Sequence, residues 1–234
     1  MIPAYNIGQL TYICQIQSLI SMREKDQLRH ARVATSEKGQ ARIEAILDAA
    51  AEVLITEGYK KLTLRQIALR AGITVGNLTY YYRSKETLLK DLLEKILSTY
   101  LDEMDRIVKA SGDSPEDRFV AVVEYLIEDL NTQRTTKFFP ELWALANHDD
   151  SAAELMENMY ADERRALAEL IHAINPKLDE QQINHLALFI SSSIEGMTMF
   201  IGAGKTQEGA LQFMKKMACK SFLQLIAQPG TPAR

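Results

Sequence analysis

From Ala4 to Ser114 the chain contains no proline, and its 234 residues hold only 11 glycines and six prolines. Average usage would bring these two residue types to about 12% of a chain. With breakers this scarce, the backbone is free to run in long helices. No stretch alternates apolar and polar residues with the period of two that a half-buried strand needs. The expected fold is all-α, with about nine helices.

The composition, 47% hydrophobic and 25% charged, is that of a globular protein and argues against disorder. Two cysteines, Cys14 and Cys219, are too few for a disulfide framework or a four-cysteine zinc site, and they fit a reducing cytoplasm. Residues 2–22 are fairly apolar, but Asn6, Gln9, Gln15 and Gln17 interrupt them and no basic segment leads them. They read as neither signal peptide nor membrane span. Charge is unevenly spread. Residues 22–86 hold 12 Lys/Arg against 8 Asp/Glu, a balance of +4, whereas residues 87–234 hold 15 against 23, a balance of −8. A basic segment on an acidic body can be drawn to a polyanion without the whole protein adhering to it, although a local +4 also arises by chance.

Residues 1–35 show no strong period. Met22 opens a polar stretch suited to a true start, with the 21 residues before it an over-extended reading frame. The alternative is a short extra helix packing Leu10, Ile13, Ile16 and Leu19. Next, Ile43, Ile46, Leu47, Ala50, Val53 and Leu54 recur at helical spacing, and Gly58 suits the helix end. Thr63 to Gln66 is a capping-box pattern opening a short helix through Ile67, Ala68 and Ala71, which Gly72 ends. Thr74 can cap a third helix, and Ser84 a fourth whose apolar positions continue to Val108. Ser114 and Pro115 open a fifth. Residues 135–147 are expected to be kinked or loosely wound around Pro140. Ser151 to Glu154 is a further capping-box pattern, and Asp179 to Gln182 opens an eighth helix reaching Gly202. A ninth follows from Thr206.

Residues 64–83 satisfy the demands of a helix-turn-helix. Two short helices that cross steeply need a small residue where they touch, which Ala68 supplies. The tight turn needs a residue tolerant of positive φ four positions later, which Gly72 supplies. Ile67, Ala71, Ile73 and Leu78 are spaced to be buried between the helices. Thr74, Val75, Gly76, Asn77, Thr79 and Tyr80 remain on the outer side, a surface suited to a major groove.

Ala49 to Tyr59, Thr63 to Ala68 and Ala71 to Leu88 carry a resemblance. Together they resemble the N-terminal domain of TetR-type bacterial transcription regulators, closely over about fifty residues, and helix count and length agree over the rest. The motif running from Gly76 through Leu78, Tyr80, Tyr81, Tyr82, Ser84, Lys85 and Glu86 to Leu88 is highly specific. Two positions depart from it: Thr79 stands where the family often has Tyr, and Tyr82 where it usually has Phe. The first bears on which bases are read; the second calls for a partner for the Tyr82 hydroxyl.

The resemblance implies a DNA-binding regulator with no enzymatic activity and no cofactor. Arg65 and Lys85 would hold phosphates, Lys85 from a helix first turn that also favours an anion. Val75, Gly76, Asn77 and Thr79 would approach base edges, Thr74 would join them on the DNA-binding face, and Tyr80 and Tyr81 would straddle backbone and groove wall. The competing reading of Tyr80 to Tyr82 is that they pack the three-helix core, and for Tyr82 that reading is preferred. A basic arm of Arg23, Lys25, Arg29, Arg32 and Lys38 would add DNA contacts or be a solvated tail.

The domains expected are an extension over 1–35, the helix-turn-helix domain over 36–86, a connecting helix over 87–110, a body over 111–227 and a frayed tail over 228–234. In TetR-like proteins the body binds a small molecule and pairs two subunits through its last two helices. Pocket candidates are Phe138, Phe139, Trp143, Met156, Met159, Tyr160, Phe189, Met199 and Phe200, which equally suit a plain core. Dimer-interface candidates are Ile190, Ile194, Met197, Phe213, Met217 and Phe222, which equally suit a monomer core. Glu195, in an apolar run, is expected to face solvent or pair across the dimer rather than to meet a cationic ligand.

The whole reads as a cytoplasmic, homodimeric repressor of a palindromic operator, released by an unidentified small molecule. Two rivals stand beside it. One is a helical partner-binding adaptor. The other is a nucleotide-binding enzyme using Gly202 to Thr206; but the glycine a phosphate loop needs five residues before Gly204 is Met199, and the segment follows a helix rather than a strand. His30, His148, His172 and His185 lack metal-ligand spacing, so no metal is expected.

Overall fold

The computed structural model describes residues 37–228. The expectations for residues 1–35, for Arg23, Lys25, Arg29 and Arg32, and for the tail beyond Gln228 lie outside that range. Nine α-helices and no strand occur among the described residues. In chain order they are α1 (Glu37–Glu57), α2 (Leu64–Arg70), α3 (Val75–Tyr81), α4 (Lys85–Ala110), α5 (Pro115–Glu128), α6 (Gln133–Ala146), α7 (Asp150–Ile174), α8 (Glu180–Met197) and α9 (Leu211–Ala227). Short 3₁₀ turns lie at Tyr59–Lys61, Asp129–Asn131 and Glu208–Ala210. The chain forms two compact units whose boundary falls inside α4, between Ser98 and Thr99.

The first unit is built on the apolar stripe of α1, where Ile46, Ala50, Val53 and Leu54 are buried, as are Ile67, Ala68, Leu78 and Tyr82. Local capping sets the frame. The hydroxyl of Thr63 accepts from the Gln66 N–H, that of Thr74 from the Asn77 N–H, and that of Ser84 from the Thr87 N–H. Each satisfies a helix-end N–H that lacks an intrahelical partner. Gly72, at φ 66°, turns the chain between α2 and α3. Across that turn the Ile73 N–H donates to the Ala68 carbonyl at 2.9 Å. The expected capping box at Thr63 is only half formed. Gln66 instead turns its side chain toward Glu57, donating its amide N–H to that carboxylate in a charge-assisted hydrogen bond. Glu57 and Glu52 both also take Arg70, so this guanidinium ties α2 to α1.

In the second unit α7 packs against α5, α6, α8 and α9. Its core holds Phe119, Val122 and Ile127 of α5, Phe138 and Leu142 of α6, Leu167 and Ile171 of α7, Ile190 and Ile194 of α8, and Phe222 and Ile226 of α9. Ser114 caps α5 ahead of Pro115, and Asp179 with Gln182 forms a complete capping box on α8. Other boundaries differ from expectation. The helix α6 runs unbroken through Pro140, because burying Phe138, Phe139, Leu142 and Leu145 on one side outweighs the single lost backbone bond. Helix α7 is capped by Asp149, whose carboxylate accepts from the Ala152 N–H, so Ser151 lies inside it. Helix α8 stops at Met197, short of Gly202.

The α8–α9 connection is fastened to the turn that follows α5. Ala203 donates its N–H to the Leu130 carbonyl at 2.7 Å, and Thr136 donates its hydroxyl to the Ala203 carbonyl at 3.1 Å. Gly202 sits at φ 103°, and a Cβ there would come within 2.4 Å of the Leu130 oxygen. This use of the backbone is structural. The Gly202 to Thr206 segment is therefore a docked interhelix loop, and its Ala203 N–H is not free to cradle a phosphate.

Candidate nucleic-acid interface

A short helix ending in aromatics presents the candidate surface. Leu78 anchors α3 in the core, while Thr74, Val75, Gly76, Asn77 and Tyr80 are exposed and Thr79 and Tyr81 are half-buried. Two hydroxyls are already engaged: Thr74 in its cap, and Thr79 by donating to the Gly76 carbonyl at 3.1 Å. The Asn77 side chain is thus the amide on this face able to offer paired donor and acceptor to a base edge. Gly76 has open space around it. A Cβ there would find its nearest neighbour, the Thr74 hydroxyl, at 4.0 Å. Nothing inside the subunit asks for the missing side chain, whereas close approach of a duplex would.

The flanks suit a phosphate backbone. Arg65 on α2 is exposed. The Lys85 ammonium, in the first turn of α4, lies 4.0 Å from the centre of the Tyr59 ring. That contact orients the cation beside the N–H groups at a helix start. Tyr80 and Tyr81 meet edge to face at 5.1 Å between ring centres. Tyr82, by contrast, is fully buried, and its hydroxyl donates to Asp91 at 3.0 Å. Burial and the Asp91 charge push its ionisation well above the ordinary tyrosine range. Tyr59, with the exposed Lys60 and Lys61 beside it, went unsingled in the sequence. The basic pair directly after Tyr59 was the available signal.

The body arranges the remaining candidates less tidily. Phe138, Phe139 and Met159 are buried, while Trp143, Met156 and Tyr160 are half-buried. Phe189, Met199 and Phe200 lie on the surface, 52%, 57% and 72% exposed, which removes them from an internal pocket of the subunit. Ile190, Ile194 and Phe222 are buried in the subunit core and cannot meet a second copy, whereas Phe213 and Met217 are exposed and Met197 is partly so. Leu188, Phe189 and Leu225 join the exposed apolar row on α8 and α9.

Glu195 is half-buried rather than fully open to solvent. Glu163 of α7 is half-buried too, and both carboxyls are raised. Burial is the main cause for each. The charge of Glu163, and more weakly that of Asp129, adds to the rise at Glu195, while a hydrogen bond from Tyr160 opposes it. At Glu163 the Ser191 hydroxyl and the Arg164 charge oppose it. Trp143 donates its indole N–H to the Tyr160 hydroxyl at 2.8 Å.

An all-helical chain with a short, exposed helix of this polarity after a glycine turn has the construction of a helix-turn-helix transcription regulator. Comparison with known proteins agrees. Residues 46–92 match the model of the bacterial regulatory proteins of the TetR family, and residues 115–221 match the BetI-type transcriptional repressor C-terminal domain. The chain belongs to the TetR family of transcriptional regulators, which are not enzymes.

An uncharacterized HTH-type regulator of the dhlA 5′ region in Xanthobacter autotrophicus is 30% identical over 134 residues, 56% of this chain and 66% of its own length. The HTH-type transcriptional regulator BetI of Escherichia coli is 26% identical over 154 residues, 65% of this chain and 77% of its own. Among solved structures, a TetR transcription regulator from Haloarcula marismortui superposes with a TM-score of 0.61 at 18% identity, covering 81% of this chain and 96% of that one. A regulator from Saccharomonospora viridis in complex with choline gives 0.64 at 20% identity, covering 80% and 96%. No described helix is long and apolar enough to cross a membrane, and no group of three or more potential metal ligands occurs among the described residues.

Proposed function

We propose that the protein is a cytoplasmic, homodimeric repressor that binds a roughly palindromic operator and leaves it when a small molecule enters its body. The carrying observation is the outer face of α3: Val75, Gly76, Asn77 and Tyr80 are exposed, with the Lys85 ammonium held at one end over Tyr59. Asn77 reads a base, the bare Gly76 admits the duplex, and Arg65 and Lys85 hold phosphates. The exposed apolar row of α8 and α9 supports a twofold pairing, which would set two copies of α3 about one duplex turn apart. The choline held by the Saccharomonospora viridis relative supports a ligand-binding role for the body. An effector acts by preferring the form of the dimer that fits DNA less well.

The test is a binding titration on operator and random duplexes at several salt concentrations, with the operator first located by footprinting. Lys85→Ala is expected to weaken both complexes and to lower the salt slope by about one unit. Asn77→Ala should cost about 1–3 kcal/mol on the operator and little on random DNA. Equal losses on the two duplexes would remove Asn77 from base reading. Absence of any salt-sensitive DNA binding would leave a partner-binding adaptor as the better account.

A further inference from the structure

The 3₁₀ turn at Tyr59–Lys61, between α1 and α2, carries two cations that base reading by α3 leaves without a task. Gly58, at φ 79°, starts it. Two backbone bonds close it, from the Lys61 N–H to the Gly58 carbonyl at 3.1 Å and from the Leu62 N–H to the Tyr59 carbonyl at 3.0 Å. Leu62, directly after it, is buried and pins it to the core of the first unit. Lys60 and Lys61 therefore spring from a fixed backbone, and both are exposed.

The Lys85 ammonium lies 4.0 Å from the centre of the Tyr59 ring, so the first turn of α4 reaches the residue directly before Lys60. Three lysines thus gather at one ring, one seated over it and two following it in the chain. No acid neutralises them. Glu57 is committed to Arg70 at 2.7 Å and to the Gln66 amide at 3.0 Å. Glu86, next to Lys85 in sequence, is exposed. Neither it nor any of the three lysines forms an ion pair among the described residues. Farther along α4 the pattern is the opposite: Lys90, Lys95, Arg106 and Lys109 each have a carboxylate partner.

Like charges gathered without acids repel one another, and an anion from outside relieves them. A small anion can serve only part of such a group. A DNA strand carries one charge for about every 3.4 Å of its axis, so a strand passing Lys85 brings further phosphates to the turn beside it. The ring adds a second effect, since its attraction for the ammonium keeps Lys85 next to that turn.

We propose that the Tyr59–Lys61 turn is a second phosphate-holding point, at which Lys60 and Lys61 take phosphates of the strand that Lys85 holds, with Tyr59 as the positioning residue for Lys85. The proposal rests on the DNA-binding reading above and extends its contact surface.

The test is an anisotropy titration of the full-length protein on operator and random duplexes over a salt series, because each lost phosphate contact lowers the slope of log affinity against log salt by about 0.9. Lys60→Gln combined with Lys61→Gln is expected to lower the slope by about one unit for each lysine in contact, and to weaken both duplexes alike. Lys137→Gln combined with Lys177→Gln removes the same charge from exposed positions of the second unit and should leave the slope unchanged. Tyr59→Phe keeps the ring and should bind as the parent does. Tyr59→Leu should weaken both complexes in the parent but add nothing to Lys85→Gln, with thermal melting used to verify that every variant folds. A slope unmoved by the two substitutions in the turn, or moved equally by the control pair, would overturn the assignment. Tyr59→Leu weakening the Lys85→Gln protein as much as the parent would remove the positioning role. A parent protein with no salt-sensitive DNA binding would refute the DNA-binding reading itself, whereas normal parent binding with an unchanged slope in the turn variant refutes only the second holding point.

Discussion

Gly76 stands in the first turn of α3 with room for a methyl group on it. A glycine in a helix is less favourable than alanine by about 0.5–1 kcal/mol. Gly76→Ala should therefore raise the unfolding free energy by about that amount in a denaturant titration, while weakening the operator complex by tenfold or more. Wild-type affinity in the alanine variant would mean that DNA does not come close at this point.

Glu195 sets a second opposition. Its carboxyl rises from the ordinary 4.5 to about 8, chiefly through burial and then through Glu163, with Asp129 adding, Tyr160 opposing and Arg164 lowering Glu163. The folded state thus holds a proton that the unfolded state releases near pH 4.5. Stability from this group is complete below that pH and declines as pH rises through about 8. Glu195→Gln should match the parent at pH 5 and exceed it in melting temperature progressively up to about pH 8. An advantage that stayed constant from pH 5 to pH 9 would place this carboxyl in an ordinary solvated setting.

At the level of helices, the docked α8–α9 loop offers a direct check. Gly202→Ala meets both a positive φ and the Leu130 backbone oxygen, neither of which can yield cheaply. A loss of about 1–3 kcal/mol is expected by chemical denaturation; an unchanged midpoint would show that the loop is not held there. Local grammar made most of these elements legible from sequence. Thr63, Thr74, Ser84, Ser114 and Asp179 each announce a helix start through contacts three residues away, and Gly72 announces the turn in the same short-range way. Where several residues in a row can do the same job, as at Asp149, Asp150 and Ser151, the pattern does not choose among them. Helix α8 is apolar on more than one side, so periodicity alone assigned Ile190 and Ile194 to a partner when they belong to the core, and Phe189 to a pocket when it is exposed. For a different reason, the raised carboxyl of Glu195 was not legible. Part of the rise comes from the charge of Glu163, more than thirty residues away in sequence, which no local rule connects to it.

For the molecule as a whole, the exposed row of Leu188, Phe189, Phe213, Met217 and Leu225 is the surface to disable. Burying a large apolar side chain contributes about 1.5–3 kcal/mol. Replacing Phe213 and Met217 together with Glu should reduce sedimenting mass at micromolar concentration to that of the 26.4 kDa chain, with helical content kept. A variant that remained twice that mass would place the pairing surface elsewhere. Such a monomer should hold a single half-site weakly and lose preference for the palindrome.

Helix α4 gives the two units a common member. Its 26 residues, about 39 Å at 1.5 Å each, contain neither glycine nor proline, and the boundary between the units passes through its middle. With no proline to remove a backbone bond and no glycine to loosen the chain, no residue within this helix favours a bend at that boundary.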